Sequence, residues 1–127
     1  MKITALYAGF LAILFILLAI RVIRERRGAK VAVGDGGNAL LLRRMRVHAN
    51  FAEYVPFALL LMALAESLLA WPWLIHLQGL SLIAGRVSHA YGVSRTPENF
   101  NFRVFGMAVT LTVIGTAAAA CLVRALM

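Results

Sequence analysis

The sequence predicts an all-α membrane protein, a four-transmembrane-helix antiparallel bundle, on three observations. Composition is the first: 62% of the 127 residues are hydrophobic and 14% are charged, against about 45–50% and about 25% in an ordinary soluble domain. The second is that the apolar residues fall into four long blocks, each close to the ~20 residues that cross ~30 Å of hydrocarbon. The third is that the cations collect between these blocks. Lipid offers no water to unpaired peptide groups, so helices are the form such blocks take. The length fits one domain, residues 1–127.

Ile3 to Ile20 is the first block. It is longer than the apolar core of a secretory leader, about 7–15 residues, and basic residues follow where a cleavage site would stand, so it reads as a retained span. Val47 to Ala70 is the second block, Leu74 to about Tyr91 the third, and Val104 to Leu126 the fourth. The third is the weakest, interrupted by His76, Gln78, Ser81, Arg86, Ser88 and His89. Trp71 and Trp73 suit an outer aromatic belt, with Pro72 between them expected to force a tight turn. In the first loop, VAVGDGGNALL is too short for a dinucleotide fingerprint and follows no strand. It reads as a turn ending in a helix N-cap at Asn38, with a short amphipathic lead into the second span. Gly115 and Ala119 are four apart, share a face, and predict close approach of another helix. Cys121 is alone in an apolar block, which rules out a disulfide within the chain and reads as packing rather than reactivity.

The formal net charge is +8. No soluble fold remains to present it to nucleic acid, so that partner is excluded. Arg21, Arg24, Arg26, Arg27, Lys30, Arg43, Arg44 and Arg46 lie between the first two spans. Arg95 and Arg103 lie between the last two, with Arg86 just before them, and only Lys2 and Arg124 sit near the other face. The positive-inside rule then places both basic loops in the cytoplasm and both termini on the opposite side.

The opening turns of the second span are unusually polar. On a helix, Arg46, Asn50 and Glu53 share one face, Arg43 and Phe57 extend it, Tyr54 lies beside it, and His48 points nearly opposite. Glu53 is about seven residues into the span, ~10 Å along the axis. A carboxylate there needs a partner, which Arg46 or Asn50 can supply within the helix, or Arg86, Arg95 and Arg103 from elsewhere. Two readings follow. The cluster staples the helix ends together, or it forms an anion pocket. The second rests on an excess of Arg43, Arg46, Arg86, Arg95 and Arg103 over Glu53 and Glu98. Planar guanidinium groups suit a ligand's carboxylates, a glutamate suits its amino group, and an arginine beside a thiol favours the thiolate. Pro56 frees the carbonyl of Ala52 and either opens a cleft beside the cluster or is filled by packing. Glu66 either pairs with His76 or, more simply, meets water at the interface.

The run RVHANFAEYVP, Arg46 to Pro56, resembles the second-helix motif of the MAPEG family, the membrane-associated proteins in eicosanoid and glutathione metabolism. That pattern reads R-A-x-x-N-x-x-E-Y-x-P. Arg46, Asn50, Glu53, Tyr54 and Pro56 match it, and Val47 replaces the alanine. The likeness covers the whole chain, and the VGDGG and AEYVP runs look most like a bacterial inner-membrane branch. The resemblance implies a homotrimer in the lipid bilayer, with glutathione as co-substrate between protomers near the cytoplasmic face. Arg24, Arg46, Asn50, Glu53, Tyr54, Arg86 and Arg95 match glutathione-binding positions, and Arg103 matches the arginine that stabilises the thiolate. No metal is implied. Leu42 departs from a glutamate that opens the motif in many members, Val93 from a tyrosine, and the segment Thr96 to Phe102 is longer than in the mammalian enzymes.

The activity implied is glutathione transfer to, or peroxide reduction of, a lipophilic small molecule. Two other readings stand beside it. One is a non-catalytic scaffold whose polar cluster locks subunits together. The other is a small transporter, which is disfavoured because transport sites gather near the midplane. That level falls near Ala58 or Leu59, away from Glu53 and Glu66.

Overall fold

The computed structural model describes residues 1–127 and consists of four helices without a strand: α1 (Lys2–Ala29), α2 (Ala39–Ser67), α3 (Pro72–Ser94) and α4 (Phe100–Leu126). The predicted four-helix architecture is present. Helices α1, α2 and α4 are each long and apolar enough to cross a membrane on their own. Helix α3 is more polar, and it turns Gln78, Arg86 and His89 inward, where all three are buried. Polar side chains are tolerated at membrane depth when they face the interior of a bundle.

The helices run further into the basic segments than the apolar blocks did. α1 continues past Ile20 to Ala29. α2 starts at Ala39, so the amphipathic lead is the first part of the same helix. Asn38 is its N-cap as expected, accepting the Leu41 N–H at 2.9 Å. α4 begins at Phe100 rather than Val104, with Asn99 accepting the Phe102 N–H at 3.2 Å, and this makes Arg103 helical. Pro72 does not make the turn that was expected of it. The chain reverses through Leu68, Leu69 and Ala70, with Leu69 left-handed at φ 59, and Pro72 opens α3, where a missing N–H carries no penalty.

α2 and α3 form the middle of the bundle, while α1 and α4 flank it without touching each other. Leu11, Val47, Phe51, Met62, Ile75 and Leu82 are among the buried apolar residues between them. Leu6, Phe10, Ile13, Ile16 and Leu17 of α1 face outward, as a lipid-facing helix requires.

Within the chain, no helix makes the close approach predicted at Gly115 and Ala119. Nothing lies within 4 Å of a Cβ built on Gly115, and Ala119 is exposed. The tight contact is between α3 and α4, where a Cβ on Gly106 would strike the Gly85 carbonyl and the His89 backbone. A Cβ on Gly92 would likewise strike the backbone of Asn99 and Arg103. Gly85 and Gly92 are one heptad apart and hence on one face, a spacing the single pair on α4 obscured. Beside Pro56 there is an open apolar groove of about 250 Å³, lined by Ala8, Phe15, Phe51 and Leu59 among others. It opens on the α1 side, away from the cationic residues. Cys121 is a packing residue whose thiol meets the Leu61 carbonyl at 3.3 Å.

Glu66 takes neither role expected of it. It accepts the backbone N–H groups of Ile3 (2.9 Å) and Thr4 (2.8 Å), two of the donors that the first turn of α1 leaves unpaired. His76 bonds instead to the Tyr7 hydroxyl at 3.0 Å. Arg124 donates to the Leu68 carbonyl at 3.0 Å, so this end of the bundle is pinned across α1, α2, α3 and α4.

Candidate anion-binding site

At the opposite end, α2, α3 and α4 diverge around a cavity of about 320 Å³. Arg43, Arg46 and Asn50 reach it from one face of α2, His89 from α3, Glu98 from the α3–α4 connection, and Arg103 from the first turn of α4. The predicted residues Arg46, Asn50 and Arg103 are thus brought together. Leu42 and Val93, two of the departures from the family pattern, also line it.

Glu98 is the carboxylate of this pocket. It lies 2.9 Å from the Arg103 guanidinium and 3.9 Å from that of Arg43, which also donates to the Val93 carbonyl at 3.2 Å. Arg46 is exposed and makes neither an ion pair nor a hydrogen bond. Three guanidinium groups therefore face one carboxylate, and one of the three is free. Glu98 entered the sequence reading only in the charge balance, with Glu53 as the expected carboxylate, and His89 was not foreseen as a site residue. His89 is three residues beyond Arg86, on the same face of α3, and that spacing was its available signal.

Arg86 is behind the wall of the pocket rather than in it. It is 1% exposed, so the expected role as a carboxylate partner does not hold within the chain. Its guanidinium donates to the side-chain oxygen of Asn50, to Thr110 Oγ1 (3.4 Å) and to His89 Nδ1 (3.2 Å), and approaches the Met107 sulfur. The Phe51 ring lies 5.9 Å from it. Arginine has no acceptor, so Nδ1 of His89 accepts and the ring proton sits on Nε2. Thr110 passes the network on to the Gly106 carbonyl at 2.8 Å. Arg86 thereby fixes Asn50 and His89, the two neutral polar groups that face the cavity.

The remaining predicted residues are dispersed. Glu53 is exposed on α2, lines no part of the cavity, and meets none of the partners expected for it within the chain. Tyr54 is half-buried on α2 and lines no part of the cavity. Arg24 is exposed on α1 without an ion pair, next to a packed group in which Arg44 meets Glu25 at 3.2 Å and Arg21 meets Ser94 at 3.2 Å. Arg95 lies outside the cavity, over the Tyr91 ring and bonded to its hydroxyl at 3.1 Å. His48 points away as predicted, stacked on Phe15 with ring centroids 4.6 Å apart.

Fold and site together define a helical membrane protein with a cationic pocket at one end of its bundle. Residues 4–123 match the model of the MAPEG family, and the chain belongs to that family. It is similar to the inner membrane protein YecN of Escherichia coli (strain K12), with 39% identity over 108 residues, covering 85% of this chain and 81% of that protein. YecN of Escherichia coli O6:H1 (strain CFT073) matches with the same figures.

Proposed function

We propose that the protein binds glutathione and acts as a glutathione transferase or peroxidase on lipophilic electrophiles. The observation that carries this reading is the cavity of about 320 Å³ in which Arg43, Arg46 and Arg103 outnumber Glu98. Membership of the MAPEG family supports it. In this reading Arg46 takes a carboxylate of the peptide in a forked, charge-assisted pair, and Asn50 hydrogen-bonds its backbone. Arg103 holds the thiolate. The sulfur then attacks an electrophile arriving from the lipid side and displaces its leaving group, or reduces a hydroperoxide to an alcohol with a second glutathione completing the disulfide and water. Arg86 is a positioning residue, acting through Asn50 and His89.

Glu53 and Arg24 support assembly into a homotrimer. Both are charged, outward-facing and unpaired within the chain, and an unpaired carboxylate on a membrane helix is costly. A neighbouring protomer supplies the missing partners, and the pocket is completed at that boundary, with Arg95 at its rim. Residence in a bacterial inner membrane follows the similarity to YecN. The basic loops then face the cytoplasm, where glutathione is made available to the pocket.

One observation favours a non-catalytic structural role instead, with the cluster stapling the helix ends of a scaffold. The Arg86 network and the Arg43–Glu98 pair tie the chain's own elements together. The decisive experiment uses the detergent-purified chain with glutathione and an aryl halide. The enzyme reading expects thiolate absorbance, conjugate formation, and ligand retained on a three-subunit species in native mass spectra. Absence of binding, thiolate signal and product together leaves the scaffold.

A further inference from the structure

We infer that Glu98 determines the specificity of the pocket, by occupying the place at Arg43 and Arg103 that a ligand's second carboxylate must take. The inference rests on the reading of this cavity as a site for an anionic thiol.

The ordering of the charges leads to it. The Glu98 side chain is 12% exposed, against 30% for Arg43 and 47% for Arg103, so the acid is enclosed and the cations form the rim. Its backbone is held as well. Asn99, the next residue, caps α4 through the Phe102 N–H and donates its own N–H to the Gly92 carbonyl at 3.0 Å. A carboxylate tethered in this way competes at high effective concentration.

Arg46 is the only pocket arginine that makes no ion pair. The first anionic group of a ligand meets Arg46 without displacing anything. A second carboxylate gains Arg43 or Arg103 only by moving Glu98 aside, and only then is Arg103 released for a thiolate. A ligand with a single carboxylate leaves Glu98 in place and Arg103 engaged, and its thiol stays protonated. Because the Arg103 pair is partly solvated, it is weak enough for a tethered second charge to displace. The pocket thus selects for thiols that carry two carboxylates within reach of each other, and Glu98 holds Arg103 until one arrives.

The test compares glutathione with mercaptopropionate, a monocarboxylate thiol, by calorimetry and thiolate absorbance on the detergent-purified full chain. Wild type is expected to prefer glutathione strongly and to show no thiolate with mercaptopropionate. Glu98→Gln, which keeps the shape and removes the charge, raises mercaptopropionate affinity about fivefold. It raises glutathione affinity less, so the ratio narrows, and a mercaptopropionate thiolate signal appears. Glu98→Asp, which withdraws the charge by one methylene, moves the ratio the same way and serves if the glutamine variant does not fold. A ratio unchanged in both variants, or weaker binding of both thiols, overturns the inference while glutathione binding by wild type stands. If wild type binds neither thiol, the reading of the pocket fails and the inference with it.

Discussion

Arg86 and Asn50 are hydrogen-bonded across the contact between α3 and α2, joining a fully buried cation to a residue that faces the pocket. The bond joins stability to recognition. Asn50→Ala leaves a buried guanidinium donor without its partner, at a cost of about 1–3 kcal/mol. The variant is expected to unfold at a lower temperature in detergent and also to lose glutathione affinity. Arg46→Ala provides the contrast, because Arg46 is exposed and makes no ion pair in the chain. It is expected to lose about tenfold or more in affinity, as a charge-assisted pair supplies, with an unchanged melting temperature.

Glu66→Ala removes the acceptor of the Ile3 and Thr4 N–H groups. A lost helix cap costs about 0.5–2 kcal/mol. Hydrogen exchange should accelerate at the first turn of α1 and remain unchanged at the pocket end. Equal acceleration along all of α1 would contradict a purely local cap.

The glycines of α4 should respond in opposite directions. Gly106→Ala drives a methyl into the backbone of α3, and overpacking of this kind costs about 1–3 kcal/mol or more. Gly115→Ala meets open space and gains up to about 1 kcal/mol in helix propensity. Melting of the two variants side by side tests both signs. A destabilised Gly115→Ala would mean that a subunit packs on that face.

Glu53→Leu tests the assembly. In an isolated chain this change replaces an unpaired carboxylate on a membrane helix with an apolar residue and is favourable. In the proposed trimer it removes a contact between subunits. Unchanged far-ultraviolet circular dichroism, together with loss of the three-subunit mass and of glutathione affinity, is the expected outcome. A trimer that survives with full affinity would place Glu53 on the lipid side.

The helices were legible because hydropathy acts over long runs, and the Asn38 cap because its chemistry is local. The pocket was half legible. The step from Arg46 to Asn50 fixes a shared face, and that face does line the cavity. Glu53 continues the stripe on paper, yet it is exposed and outside the cavity, because α3 and α4 cover only the first part of the stripe. No count along α2 reveals where a neighbouring helix stops. The same limit hid Glu66, whose partners are more than sixty positions away in the chain, and Arg86, whose charge suggested a carboxylate partner but whose ligands are neutral side chains.

Glu66 beside the start of α1, and Arg124 beside the end of α2, show that the chain enters and leaves the bundle at one end. Copies can therefore be joined tail to head by a flexible linker that never has to thread the bilayer. A three-copy gene fusion built this way would let a substitution be placed in one repeat alone, and so count how many intact pockets a working assembly requires.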